Sequence, residues 1–297
     1  MSEIIVIHNQ QYMASFSTLG AETLTLVDIV TGHNYLWSGD ARWWGGHSPI
    51  LFPATGGLWN ATAHIGGDTF AIPKHGFAKR REWRVEEKEE NRVTFLLTPE
   101  AGDEAFYPYS YEVRVTYALE ADGLTAQFRV LNTGAETLLF QMGGHPGLQI
   151  PGYSEDVPVN GYLRIGGDSG YVLRAGEQGC IICEADGSPK HFPFAPADGD
   201  APLCVETFAN EALIYDVPVG GATLLDLDKR PLVRVESDAP AWLFWQPQGV
   251  HSPFVCCEPW YGLPDHIGFS GDITERPFIQ QAAPGATWEG GYRVIIL

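Results

Sequence analysis

Tyr111, Val113, Val115, Tyr117 and Leu119 alternate with polar or small residues, and the alternation resumes at Leu124, Ala126, Phe128 and Val130. Successive side chains of an extended strand point to opposite faces, so a period of two over this length specifies half-buried β-strand. Between the runs lies Glu120-Ala121-Asp122-Gly123, whose Asp-Gly pair suits a tight turn, and the segment reads as an antiparallel hairpin. Shorter strand-like runs occur at Ile4 to Ile7, Leu24 to Ile29, Val93 to Leu97, Thr137 to Met142, Leu232 to Glu236, Ala241 to Trp245, Phe254 to Cys257 and Tyr292 to Leu297. Most are separated by Gly, Pro, Asp or Asn. No segment carries apolar residues at helical spacing over three turns without a Gly or Pro interrupting. The expectation is an all-β chain of antiparallel sheets, a sandwich or barrel. Rossmann and P-loop architectures are excluded, because neither glycine fingerprint follows a strand and opens a helix. The Pro- and Gly-rich stretch from His191 to Pro202 is short enough to be a loop, so residues 1–297 read as one domain.

The charge balance narrows the partners. With 37 acidic against 18 basic side chains the formal net charge is −19, a field that repels nucleic acid and acidic membrane surfaces. No apolar run approaches the roughly 20 residues of a membrane span. The first residues, MSEIIVIHNQQ, lack a basic flank and a long apolar core, so they read as a strand rather than a signal peptide. Five cysteines without such a signal suggest reduced thiols and a cytoplasmic location. Cys180 and Cys183 have the spacing of half a zinc site, but no second pair completes four ligands, and no metal is expected.

Three segments combine a titratable residue with turn residues and aromatics: Pro73 to Lys79, Gly143 to Gly147 around His145, and Cys257 to Asp265 around Glu258. Glycine admits close backbone approach and proline fixes φ, so His145 sits where the chain is being shaped. Glu258 follows an apolar run. Burying its carboxylate beside Trp260 costs several kcal/mol unless partnered, a cost usually tolerated at a site that needs a base. Trp242 and Trp245 read as core, whereas Trp260 and Tyr261, set among glycine and proline, are placed to stack on a sugar ring.

At these segments the chain resembles the aldose 1-epimerase (galactose mutarotase) family, and more closely its bacterial LacX-like branch. That branch shows His-Gly-Phe-Ala-Arg, Gly-Gly-His-Pro and Cys-Ile-Glu-Pro-Trp-x-Gly motifs. Here the chain reads His-Gly-Phe-Ala-Lys at 75–79, Gly-Gly-His-Pro at 143–146 and Cys-Cys-Glu-Pro-Trp-Tyr-Gly at 256–262. Ser48 to Pro53 and Asn210 to Ile214 are also similar. The resemblance implies a β supersandwich with an open cleft and a cofactor-free interconversion of aldose anomers. By motif position Glu258 would be the base and His145 the acid. His75 would hold the sugar's oxygens, and Lys79, Trp260 and Phe77 would complete the binding site. For His145 to act as an acid it must be protonated, which acidic surroundings would favour.

The chain also departs from the pattern. Ala54-Thr55-Gly56-Gly57-Leu58 has glycine where an arginine is expected, and Lys79 replaces the arginine of the first motif. Relatives acting on hexose 6-phosphates are understood to hold phosphate with arginines, whose forked donors match it better than lysine's point charge. These departures favour an unphosphorylated sugar, with a hexose 6-phosphate as the alternative. The aspartate that completes the sugar site in galactose mutarotases has no clear counterpart. A non-catalytic carbohydrate-binding protein of the same fold is a second alternative, and a glycoside hydrolase, needing two carboxylates, ranks last. Neither the preferred aldose nor the oligomeric state is legible.

Overall fold

The computed structural model describes residues 2–167 and 170–297. Its regular structure is antiparallel β-strand, with only short 3₁₀ turns between, as the alternating pattern requires. The expected hairpin is Tyr111–Glu120 against Gly123–Asn132, closed over Ala121 and Asp122. Its alternating apolar residues all point inward. The pair lies within a nine-stranded sheet that runs from Asp200–Pro202 at one edge to Arg84–Lys88 at the other.

A second, six-stranded sheet is built on Phe254–Tyr261, flanked by Ala241–Trp245 on one side and Met142–Gly144 on the other. Gly147–Gln149 pairs with the same central strand one step further on. A single buried cluster draws Val115, Phe128 and Tyr292 from the first sheet and Trp242, Cys257 and Tyr261 from the second, so the two sheets pack face to face. A three-stranded sheet, Ile4–His8, Tyr12–Ser17 and Glu22–Asp28, covers the same core, its Phe16 stacking on Tyr117 at 4.5 Å. Each such fully buried side chain contributes about 1.5–3 kcal/mol relative to exposure.

Two expected strands differ. The run Thr137 to Met142 is divided at Gln141 into Leu138–Phe140, paired with Gln280–Ala282, and Met142–Gly144, paired with Phe254–Tyr261. The buried Gln141 amide satisfies the break by accepting from the Thr55 N–H and donating to the Leu263 carbonyl. The run Phe254 to Cys257 continues as strand through Pro259 to Tyr261. Amide nitrogens of a strand alternate sides, and Cys257 N–H bonds the Pro146 carbonyl, so Pro259 presents its donor-less nitrogen where the ladder is already interrupted at His145. Among the described residues no helix is long and apolar enough to cross a membrane.

Candidate active site

Strand alternation sorts the third motif into two sets. Cys257 and Tyr261 face the main core, whereas Cys256, Glu258 and Trp260 face the other side of the six-stranded sheet. There a cavity of about 290 Å³ opens, walled by Trp44, Gly56, Lys74, His75, Lys79, His145, Glu211, Trp245, Glu258, Trp260 and Pro264, among others. The three motifs that lie far apart along the chain therefore meet in one pocket.

His145 bridges the strands Met142–Gly144 and Gly147–Gln149, opposite the segment of the central strand that carries Glu258. The glycines around it are required by proximity. A Cβ on Gly143 would come within 2.8 Å of the Trp260 ring, on Gly144 within 2.4 Å of the Tyr292 ring, and on Gly147 within 3.0 Å of the His47 carbonyl. The imidazole is pressed between Trp44, stacked at 4.9 Å between centroids, and Trp245, edge-on at 6.1 Å. Its Nε2 lies 3.1 Å from Oε2 of Glu258.

His75 enters from a loop in the left-handed conformation (φ 65°). Its Nδ1 accepts the Gly56 N–H at 3.1 Å, which leaves Nε2 as the donor of the neutral ring. The ring stands 5.6 Å from that of His145 and 5.7 Å from that of Trp260. Gly56, one of the two glycines in the loop after Pro53, itself has φ 70°, and a Cβ there would lie 2.3 Å from Pro264. No larger residue fits.

The electrostatics are set by burial. Glu258 is wholly inaccessible, and desolvation pushes its carboxyl well above the usual range, with Lys74, the Trp260 indole and Lys79 pulling the other way. His145 is pushed down to about 3, first by burial and then by the field of Lys79. His75 is likewise held well below its ordinary value by burial, His145 and the two lysines. The expectation that acidic surroundings keep His145 protonated is thus reversed. Burial opposes charge on Glu258 and on both imidazoles alike. Apart from the His145–Glu258 contact and the Trp260 indole beside the carboxyl, the carboxyl oxygens of Glu258, Nδ1 of His145 and Nε1 of Trp260 are buried without a hydrogen-bond partner among the described residues.

The remaining expected residues divide. Lys79 lines the cavity, half-buried. Trp260 lines it but is sealed beneath its floor, offering an edge rather than an open face. Phe77 does not line it; its ring packs against Phe52 and Tyr107 in the core. Tyr261 points to the opposite face, where its hydroxyl donates to Asp238. The cavity's half-buried aromatics are instead Trp44, which stacks on His145 and on Phe254, and Trp245. Trp245 was read as core, and Trp44 was missed although Trp43-Trp44-Gly45-Gly46 has the aromatic-glycine character of the other motifs. Glu211, in the segment Asn210 to Ile214, supplies a second carboxyl to the wall. Asp265 is structural: its carboxylate takes a two-pronged ion pair from Arg276 at 2.7 and 3.1 Å and the Trp59 N–H at 2.9 Å, holding Pro264 in place.

Donor atoms of His145, Cys256 and Glu258 lie within 4.8 Å of one another, a set able to hold a metal, but burial pushes the Cys256 thiol well up and opposes the loss of its proton. Cys180 and Cys183 are free thiols, and burial raises that of Cys180 to about 11.

The chain is 29% identical to Protein LacX, chromosomal, of Lactococcus lactis subsp. lactis over 99% of both chains. It superposes on a galactose mutarotase related enzyme from Lactobacillus acidophilus with a TM-score of 0.89 at 26% identity, covering 99% of this chain and 97% of that one. A galactose mutarotase-like protein from Lactobacillus casei matches with a TM-score of 0.87 at 25% identity, covering 99% and 100%. The sequence model of the aldose 1-epimerase family matches residues 3–168, and the chain belongs to that family.

Proposed function

We propose that the protein is an aldose 1-epimerase, interconverting the α and β anomers of a monosaccharide by opening and reclosing its ring, with Glu258 as base and His145 as acid. One observation carries this reading: the Glu258 carboxyl and the His145 imidazole, 3.1 Å apart, share a cavity with the Trp260 indole, and apart from contacts among themselves the buried polar atoms of the three lack partners among the described residues. Buried polar groups are otherwise paired, so such a set calls for a ligand rich in hydroxyls. The anomeric hydroxyl O1 and the ring oxygen O5 are both bonded to C1. Two groups that serve them must therefore stand about one hydrogen bond apart.

In the forward step Glu258 takes the O1 proton, His145 gives its proton to O5, the C1–O5 bond breaks and C1=O1 forms. Rotation about C1–C2 presents the other carbonyl face, and reversal of both transfers closes the opposite anomer. The step converts a carboxylate–imidazolium pair into a neutral acid and a neutral imidazole. Burial favours the neutral pair, so the cavity lowers the energy of the open-chain state relative to the cyclic one. Before a cyclic sugar can react, the proton crosses the short gap from Glu258 to His145. Hydrogen bonds from the sugar's hydroxyls to the carboxylate favour that crossing. His75 offers its Nε2–H to a substrate oxygen, and Trp245 borders the bound ring. The whole chain forms this one catalytic unit, and the five free cysteines fit a cytoplasmic setting.

Polarimetry on freshly dissolved α-glucose and α-galactose tests the reading. The protein should speed the decay of optical rotation in proportion to its concentration. Binding of the same sugars without any acceleration would instead identify a carbohydrate-binding protein.

A further inference from the structure

Strand register brings a sulfur beside the proposed acid and base. Cys256 and Glu258 are two residues apart on Phe254–Tyr261, so their side chains share a face, and Gly147, two residues beyond His145, pairs with Cys256. A ring nitrogen of His145, Sγ of Cys256 and a carboxyl oxygen of Glu258 accordingly lie within 4.8 Å of one another, all three side chains buried. The ligands of a tetrahedral zinc ion, each about 2.0–2.3 Å from the metal, stand about 3–4 Å from each other, so the set needs only a small contraction. His145 and Glu258 line the cavity, so a fourth position would face it, open to water. Cys256 is a free thiol packed behind them among Trp37, Phe254, Trp44 and Trp245, and the ring-opening chemistry makes no use of it. Apart from their contact with each other and with the Trp260 indole, the Glu258 carboxyl oxygens and Nδ1 of His145 lack hydrogen-bond partners among the described residues. Buried polar atoms left in this way are open to a ligand.

Charge decides which ion fits. A thiolate alone is unfavourable in so buried a place, and so is a carboxylate. A dication bound to one thiolate, one carboxylate and one neutral imidazole sums to zero. When it binds, the thiol and the carboxyl each give a proton to solvent and each gain a bond to the metal, with no change of oxidation state. Lys74 and Lys79, also in the wall, repel a free cation but act only weakly on a neutral complex. Thiolate and imidazole select zinc and its neighbours over magnesium and calcium, which take oxygen ligands. In a resident metal site the ligating histidine almost always gives its other ring nitrogen to a carboxylate, a carbonyl or water. With Nε2 turned to Glu258, the nitrogen left over is Nδ1, which has no such protein partner, so the arrangement suits an ion that comes and goes. We propose that the cavity binds Zn²⁺ through His145, Cys256 and Glu258 as a reversible inhibitor, occupying the two groups that would serve O1 and O5. The inhibition rests on the epimerase reading; the binding does not.

The test uses the full chain, freed of metal with a chelator and titrated with Co²⁺, a zinc surrogate whose thiolate complexes absorb in the near ultraviolet. One equivalent should produce the thiolate-to-cobalt band, and Zn²⁺ should bleach it. Cys256→Ala should abolish the band and weaken zinc binding by at least about tenfold. Cys256→Ser, which keeps the volume should the smaller side chain disturb packing, should lose the band too. Cys183→Ala, which removes the partly exposed thiol of the Cys180 and Cys183 pair, should leave it unchanged. In the parent, Zn²⁺ at ten times its Kd should slow the anomeric exchange of glucose and galactose about elevenfold, mass action leaving one site in eleven free, and a chelator should restore the rate. Measured against each variant's own metal-free rate, that sensitivity should vanish in Cys256→Ala and persist in Cys183→Ala. No thiolate band in the parent, a band that survives in both Cys256 variants, or one lost in Cys183→Ala overturns the proposal. Undiminished exchange in the zinc-saturated parent overturns it as well. A metal-free parent that does not speed exchange overturns the epimerase reading instead, and the cobalt band then still decides the site.

Discussion

On the proposed mechanism Glu258 and His145 hold one proton between them, and the consequences are measurable. Each should be indispensable: Glu258→Gln and His145→Ala are expected to lower kcat/KM by about 10²–10⁴-fold. Because His145 is held at about 3, the pair does not gain a second proton in the range where a free histidine would. The kcat/KM profile should therefore stay level from about pH 7 down to about pH 5, and an acid limb centred near 6.5 would contradict the neutral-pair description. Stability has its own sign. Glu258 binds its proton more tightly folded than unfolded, so its contribution is whole below the ordinary carboxyl range and declines as the pH rises towards the raised value. His145, depressed, acts at the other end, where stability falls as the pH drops from 6.5 towards 3. Glu258→Gln should accordingly be more stable than the parent at pH 8, by about 1–3 kcal/mol, with the gain largely gone at pH 4. Thermal melts at the two pH values measure it.

Among the elements, the strands that meet at His145 set the site's geometry. Gly144 lies against Tyr292 of the opposing sheet with no room for a methyl group. Gly144→Ala should cost about 1–3 kcal/mol in urea denaturation and lower kcat, because the strand must shift and carry the imidazole with it; Tyr292→Leu in the same chain should restore part of both. The alternation that revealed Tyr111–Glu120 and Gly123–Asn132 was legible because each strand has one face in the core. The central strand was only half legible. Phe254–Tyr261 is buried on both faces and contains a proline, so neither period nor composition marks its end. The break at Gln141 was invisible for another reason: its polar side chain serves Thr55 and Leu263, partners distant along the chain. The three motif residues were found by their settings among glycine and proline. Phe77 was misassigned because adjacency to His75 says nothing of which way a ring turns. Trp44 went unrecognised because its place in the wall comes from what packs against it, His145 and Phe254, which lie far along the chain.

At the scale of the molecule, the cavity lies outside the main core, on the outer face of the six-stranded sheet, under a wall of loops tied down by Asp265 and Arg276. Both are almost wholly buried, and Arg276 also donates to the Thr62 carbonyl at 3.1 Å. Arg276→Met should cost about 3–5 kcal/mol by stranding Asp265, and Asp265→Asn in the same chain should recover part of that. Glu258 lies at the floor that the sheet provides, and the loops form the cavity's walls. The central claim is that this floor performs ring opening with one shared proton. Exchange between the α and β anomeric protons, followed by NMR with the parent protein, Glu258→Gln and His145→Ala side by side, measures it most directly. Accelerated exchange in the parent that vanishes in both folded variants is the predicted result; exchange that persists undiminished in either variant would contradict it.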